Sequence, residues 1–400
     1  MTTHVFIVDE ETFPIHLKYM FAGTGFKEFD INLDNPKNIS LKPAQEKTII
    51  GLLSDIKRVR IGDKVIFYLI QTSKREGMFF GVFKIKEHNP IVFHEENGIY
   101  LGDLLKKRLI FRTLIAPEEV FSLGVTEWEA LDDIKLINSP KNLIWSLIYR
   151  KLKGNRGCTP ITNEESIKLI QMIRQKNENK IIQGDNLTFD KASDKIISDV
   201  NEAIEYDLTK SNKKLDILPL LELRYNQCRS HEVHLQSYIT ENAGENNPGL
   251  NKIVGTGKEI LWLGNEVSCG VGMQRIDVFP ITLQSNKKEF RVIELKCVYA
   301  FEDLRIIKQL KRYVDWTQLF IKDANVEEIQ PIVVSKKIPD FCKSKKRKFG
   351  DNECKNFSIA FSSLINSFKE FNSKNNCKPI KFFEYEILSN KIVFQEVTYN

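Results

Sequence analysis

The chain has 400 residues, 42% hydrophobic and 28% charged, with 59 Lys and Arg against 53 Asp and Glu for a net charge of +6. That length exceeds one ordinary core and implies two or three domains, and the composition reads as a soluble globular protein. So small a net charge fixes no partner by itself. Seven cysteines without a CxxC pair (Cys158, Cys228, Cys269, Cys297, Cys342, Cys354 and Cys377) encode neither a zinc ribbon nor a disulfide framework, so reduced thiols in a cytoplasm are expected.

The N-terminal MTTHVFIVDEETF has no basic region ahead of an apolar one, and no apolar run approaches the roughly 20 residues of a membrane span, so neither secretion nor a membrane partner is expected. From Thr3 to about Thr162 the chain reads as strands with few helices. The clearest pair is Lys64 to Gln71 (KVIFYLIQ) and Met78 to Lys86 (MFFGVFKIK), entered through a Gly62-Asp63 turn and joined by SKREG. Apolar runs at Val5 to Val8, Ile91 to Phe93 and Leu109 to Leu114 complete a small curled sheet or barrel. Asn142 to Leu152 (NLIWSLIYRKL) reads as a helix closing that unit, with Leu143, Leu147 and Ile148 on one face.

From about Glu164 to Leu215, helical periodicity (SIKLIQMIRQ) gives way to polar sequence rich in Lys, Asn and Asp, which reads as an inter-domain connector. The expected organisation is therefore a first domain at 1–162, a connector at 163–215 and a second domain at 216–400. Within the second, helices are expected at His231 to Glu241, Glu302 to Phe320 and near Ile359 to Phe371. Strands are expected near Glu259 to Gly264, Arg275 to Leu283, Phe290 to Tyr299 and Ile329 to Val334, with a hairpin from Lys381 to Val397. The densest basic run, Lys336 to Lys348, sets seven cations against one acid, Asp340. It reads as a solvated loop, with phosphate contact as the functional alternative.

The stretch Arg275 to Lys296 (RIDVFPITLQSNKKEFRVIELK) has two apolar, β-branched strands flanking the turn QSNKKE, the pattern of a hairpin. Strand alternation puts Glu294 and Lys296 on one face and Ile293, Leu295 and Cys297 on the other, while Asp277 on the preceding strand reaches the same place. Two carboxylates with a lysine beside them suit a hard divalent cation, which takes oxygen ligands and keeps several waters. Such a cation polarises a phosphodiester oxygen and activates a bound water, and Lys296 orients that water or offsets charge on the phosphate. The structural alternative is a surface salt bridge between Glu294 and Lys296, which leaves Asp277 unassigned. The following helix, FEDLRIIKQLKRYVDWTQLF, places Arg305, Gln309, Tyr313 and Trp316 along one face, Lys308 and Arg312 along a cationic edge, and Ile306, Leu310 and Leu319 on its packing side.

Asp277, then Glu294-x-Lys296, then Gln309-x-x-x-Tyr313 resembles the PD-(D/E)xK nuclease superfamily, in particular its members with a QxxxY motif, over roughly residues 216–335. The resemblance implies an α/β (α+β) fold with a restriction-endonuclease-like αβββαβ core, dependence on Mg2+ with Mn2+ substituting, and cleavage of phosphodiesters in double-stranded DNA. It implies that Asp277 and Glu294 ligate the metal with help from the Leu295 carbonyl, and that Lys296 acts on the water. Ile276 stands where the motif has proline. Members also carry an acidic residue on the helix before the sheet, a place that Glu232 in HEVHLQ fills, with Glu266 in LGNEVSCG as the competitor. His231 and His234 have no third soft ligand nearby in sequence and read as structural.

In the first half, GDKVIFYLIQTSKREGMFFGVFKI resembles the EVE, YTH and PUA-like group of small barrels, over about residues 3–162. Members hold a nucleobase, often a modified one, in an aromatic pocket, which implies a flipped base stacked on aromatic side chains. Tyr68, Trp128 and Trp145 are the candidates, each also readable as core, with Arg150, Lys151, Lys153 and Arg156 in YRKLKGNRG for phosphate contact or as an ordinary basic loop. The two halves together suggest a restriction endonuclease directed by a specific or modified base. A repair nuclease acting on damaged, mismatched or branched DNA is one rival, and a non-catalytic nucleic-acid binder that retains a nuclease fold is the other. Cutting both strands from one metal centre per chain implies a homodimer.

Overall fold

The computed structural model of the chain describes residues 1–25, 43–88, 91–94, 99–132, 157–199, 204–211, 216–269, 274–303, 305–339, 352–389 and 391–399. Two compact units divide it, Met1–Asp216 and Ile217–Asn400. Helices and strands build both, so the protein is a mixed α/β chain of the α+β kind.

The first unit contains β1 (Thr3–Val8), α1 (Phe13–Lys18), β2 (Phe21–Thr24), α2 (Pro43–Lys57), β3 (Lys64–Leu69), β4 (Met78–Ile85) and β5 (Ile91–Phe93). There follow α3 (Gly102–Leu105), β6 (Phe111–Pro117), β7 (Val125–Thr126), α4 (Glu127–Asp132), β8 (Cys158–Ile161), α5 (Asn163–Lys176), β9 (Leu187–Asp190) and β10 (Lys195–Ser198). Its main sheet runs β2-β6-β4-β3-β1-β8, with β5 also on β6 and β7 also on β4. Only β1 and β3 run parallel within that sheet among the described residues. The sheet curls until its edges meet. A Cβ on Gly157, just ahead of β8, would stand 2.0 Å from Thr24 Oγ1 at the end of β2, so the approach needs glycine. Asp63 locks the turn into β3, where Gly62 has φ +87°, by accepting from the Thr2 and Arg60 N–H groups and from His4 Nε2 at 2.7, 3.0 and 2.8 Å.

The stretch 163–215, expected as a connector, belongs to this unit. Thr162 and Glu165 form a capping box at the start of α5. Leu169, Ile170 and Ile173 then pack against Val5, Ile66 and Phe79. Phe189 on β9 sets its ring 5.1 Å from Phe13 and 5.7 Å from Phe80. Polar composition conceals these few apolar anchors. The helix expected at Asn142 to Leu152 lies outside the described residues, and the 15-residue α2 adds to the few helices expected.

The second unit contains α6 (Leu218–Asn226), α7 (Glu232–Glu241), α8 (Pro248–Val254), β11 (Ile260–Ser268), β12 (Arg275–Gln284) and β13 (Lys287–Lys296). Then come α9 (Ile306–Phe320), β14 (Ile329–Lys336), α10 (Asn352–Lys374), β15 (Lys381–Leu388) and β16 (Lys391–Glu396). From α8 to β14 the order is helix, three strands, helix, strand. The sheet follows sequence order from β11 to β16, with β13, β14 and β15 parallel and the remaining ladders antiparallel. Ser285 and Asn286, at φ +48° and +63°, make the two-residue turn between β12 and β13, the type I′ geometry that suits strand twist.

Helices cover both faces of this sheet. On one side Phe290 and Val292 of β13 pack with Ile306, Leu310 and Val314 of α9 and Phe368 of α10. On the other, Ile293 and Leu295 pack with Leu235 and Ile239 of α7 and Ile253 of α8. Leu319, expected on the packing side of α9, is 55% exposed. It follows Leu310 by nine residues, about 180° around the helix at ~3.6 residues per turn, and so faces away. Leu310 is fully buried. Leu310→Ala is expected to cost the second unit about 2–5 kcal/mol, the range for a leucine deleted from a packed core, read from its urea unfolding transition.

Candidate active site

The ladder between β12 and β13 ends at Val278 and Ile293, which brings Asp277 opposite Glu294. Where the next rung would form, Asp277 Oδ2 accepts the Leu295 N–H at 2.7 Å. Leu295 thus joins the site through its N–H. The strands part around a carboxylate.

Glu294 and Lys296, 2% and 7% exposed, sit on a strand whose residues from Glu289 onward are all buried. Lys296 Nζ lies 2.5 Å from Glu294 Oε1 and 3.1 Å from Asp303 Oδ2. The Tyr313 hydroxyl, from α9, donates toward Glu294 Oε2 at 2.7 Å and the Arg275 carbonyl at 2.8 Å. The pairing of Glu294 with Lys296 is therefore present but buried, not the surface salt bridge of the structural alternative. From the opposite side of the sheet, Gln236 of α7 donates through Nε2 to the Asp277 carbonyl at 2.9 Å and to Glu266 Oε1 at 3.3 Å. Glu266, held at φ +49° where β11 departs from regular pairing, also takes Arg275 Nη1 at 2.8 Å.

Burial, followed by the charges of Glu294, Glu232 and Glu266, pushes the Asp277 carboxyl well above its usual range. Burial also raises Glu294, against the pull of Lys296 and the Tyr313 hydrogen bond. Lys296 is held above the usual lysine range because Glu294, Glu232 and Asp277 outweigh its burial. Asp303, against burial, is held at about 2 by hydrogen bonds from Arg305 and Lys296. Glu232 and Glu266 both act on Asp277, but Glu266 is matched by Arg275 and only Glu232 acts on Lys296 as well.

The carboxylates gathered here offer oxygen alone, the donor set of a hard divalent cation, and the raised carboxyls mark surplus negative charge that a cation relieves. Among the described residues no three His, Cys, Asp or Glu side chains converge as a ready-made metal cage. Glu294 is turned to Lys296 and Tyr313, and Glu266 to Arg275.

The remaining candidates divide. Gln309, one turn before Tyr313, has a buried Oε1 with no hydrogen-bond partner. Trp316 is core and Arg305 is exposed, engaging Asp303. Lys308 and Arg312 are exposed, make no ion pair among the described residues, and line a 660 Å³ cleft between α9 and α10 with Lys311 and Lys374. His231 is tied to the Arg229 carbonyl and the Tyr385 hydroxyl at 2.6 and 2.7 Å, and His234 is buried. Tyr68 is not open to a base. It is 4% exposed, packs on Phe79 and hydrogen-bonds Glu127. Trp128 is 61% exposed, contrary to its reading as core. Trp145, Arg150, Lys151, Lys153, Arg156 and the basic run beyond Pro339 lie outside the described residues. Sequence reasoning missed Gln236 and Asp303. The first stands four residues after Glu232, a spacing that marks one helix face; the second has no comparable signal.

No protein-family model matches the chain, and no curated protein matches it. A hypothetical protein from Leishmania major is similar in structure with 12% identity and a TM-score of 0.28, over 44% of this chain and 96% of that one. The human THYN1 protein in complex with 5-methylcytosine containing DNA gives 10% identity and a TM-score of 0.24, over 43% and 97%. At these scores neither likeness assigns a fold or a function to the chain. Among the described residues no helix is long and apolar enough to cross a membrane.

A carboxyl whose pKa rises on folding favours the folded state below its unfolded value of about 4, and that contribution is lost as pH climbs through the raised folded value. Asp277→Asn removes the charge and keeps an acceptor for the Leu295 N–H. Without added metal it is expected to raise the thermal midpoint near pH 8, by about 2–4 °C for each kcal/mol of repulsion relieved, with the gain shrinking toward pH 5. Melting curves of both proteins across that range check this; an equal or lower midpoint near pH 8 contradicts it.

Proposed function

We propose that the chain is a divalent-metal-dependent DNA endonuclease centred on Asp277, Glu294 and Lys296. The observation that carries it is the burial of two facing carboxyls, both shifted upward, with a lysine and a tyrosine fixed on one of them. Perturbed groups clustered in this way favour a functional site over a purely structural one. Order and spacing of Asp277, Glu294-x-Lys296 and Gln309-x-x-x-Tyr313 support the same conclusion through the nuclease superfamily they resemble.

Asp277 and Glu294 are the residues to hold Mg2+ or Mn2+, with Glu232 as the further carboxylate. The cation, when bound, supplies charge at the phosphate and an acidified water. Lys296 keeps Asp303 as its second partner when Glu294 serves the cation, so its ammonium remains charged and offsets negative charge building on the phosphate. Tyr313 fixes the orientation of Glu294, and Gln309 brings an unpartnered amide oxygen one turn away. Lys308 and Arg312 supply phosphate contacts from α9. The first unit resembles base-reading barrels, which supports a restriction role directed by a specific or modified base, and its exposed Trp128 offers a ring for stacking. Cleavage of both strands calls for a homodimer.

A non-catalytic nucleic-acid binder is the second reading, favoured by the lack of a ready-made three-ligand cage among the described residues. Glu294→Gln and Lys296→Ala are each expected to slow DNA cleavage in Mg2+ or Mn2+ by at least about a hundredfold while leaving DNA binding little changed. If the intact chain cuts no unmodified, modified, mismatched or branched DNA in either metal, the nuclease proposal fails. Cleavage confined to mismatched or branched DNA selects a repair role.

A further inference from the structure

In the segment Ile204–Ser211 of the first unit, one side chain is buried. Tyr206 is 5% exposed, while Ile204, Glu205, Leu208, Thr209 and Lys210 are exposed. The segment has no strand pairing among the described residues, only a three-residue turn at Leu208–Lys210. Tyr206 enters a slot in which Phe21 and Tyr100 meet its ring edge-on, at 5.6 and 5.1 Å between centroids. Val92, Leu105 and Leu114 complete the apolar lining.

The inner end of the slot is polar. Arg112 is fully buried, with its guanidinium 4.8 Å over the Phe21 ring. Its Nε and Nη2 donate to the Leu109 and Tyr100 carbonyls, both at 2.6 Å, and its Nη1 donates to the Tyr206 hydroxyl at 2.7 Å. His94 donates from Nδ1 to the Lys210 carbonyl at 2.9 Å, which leaves Nε2 of the neutral ring to accept the Tyr206 hydroxyl at 2.5 Å. Burial and the Arg112 charge hold His94 at about 4, so the ring stays neutral. Arg112 and His94 therefore present a donor and an acceptor, side by side, to the edge of one planar ring.

A nucleobase carries the complementary edge, in which an acceptor adjoins an N–H, and its faces suit aromatic walls. We propose that this slot binds an unstacked nucleobase, and that Tyr206 fills it in the free chain and yields to the ligand. The proposal rests on the chain acting on nucleic acid, and adds where a base is held and what guards the place. The exposed residues around Tyr206 let its ring withdraw without unpacking a second side chain. What leaves with it are the Lys210 carbonyl bond and a 3.4 Å contact from the Asp207 N–H to the Tyr100 hydroxyl.

Hydrogen exchange of the intact chain, read on the peptide spanning 204–211 with and without a bound single-stranded oligonucleotide of mixed sequence, tests the proposal. Exchange there is expected to rise by about tenfold or more on binding, while strands β3 and β4 hold their protection. Tyr206→Phe keeps the ring and removes both hydroxyl bonds, so it is expected to bind the oligonucleotide about tenfold more tightly, with Tyr206→Ala tighter still where it folds. Binding with 204–211 unchanged, unaltered affinity in Tyr206→Phe, equal competition by phenol, or no oligonucleotide binding each overturns it. Cleavage is not read in this experiment. A chain that binds, exposes 204–211 and cuts nothing keeps the slot and loses the nuclease.

Discussion

The contact between Lys296 and Glu294 is made on a strand that the fold covers on both faces, and the geometry of the second unit's site follows from it. A buried ion pair contributes little to stability, because desolvating two charges offsets most of their attraction, and apolar residues of similar volume often do as well. What the pair does is demand further partners. Tyr313 occupies the second oxygen of Glu294, and Asp303 takes the other side of the ammonium. Asp277 then adds a carboxyl where the β12 ladder ends, with Glu232 and Glu266 acting on it from beyond the sheet. The cluster carries more negative charge than Lys296 and Arg275 match, and that imbalance is the physical basis for expecting a cation.

Much of the second unit was legible because its signals are local. The hairpin around Asp277 and Glu294 is announced by apolar, β-branched runs on either side of a polar turn, and two residues at positive φ close it. Gln309 and Tyr313 fall one turn apart on α9, as their spacing requires. The rim of the site was less legible. Asp303 reaches Lys296 by folding back through a short turn, and Gln236 arrives from a helix forty residues upstream of Asp277 in roughly the way any buried glutamine might. Leu319 shows the limit of composition: an apolar residue in an amphipathic helix faces solvent when its angular position says so.

In the first unit the curled sheet was legible from its strands, but the stretch read as connector was not. Its polar sequence carries only a few anchors, namely Leu169, Ile170 and Ile173 on α5, Phe189 on β9 and Tyr206, each inserted among residues distant in sequence. Long-range packing of that kind has no periodic signature. Tyr68 misled for the opposite reason: an aromatic residue in a clear strand suggests a pocket wall, yet it is sealed in the core with Glu127 on its hydroxyl.

The central claim is that the Asp277 and Glu294 cluster is built for a divalent cation. Its most direct test is the thermal midpoint of the second unit's unfolding as Mg2+ or Mn2+ is titrated into the intact chain, beside Asp277→Asn and Glu294→Gln. A ligand that binds only the folded form raises stability with the logarithm of its free concentration once the site is saturated. The account predicts that rise for the wild-type chain and its loss in both variants. A wild-type midpoint indifferent to either ion, or a rise of equal size in the variants, would contradict it.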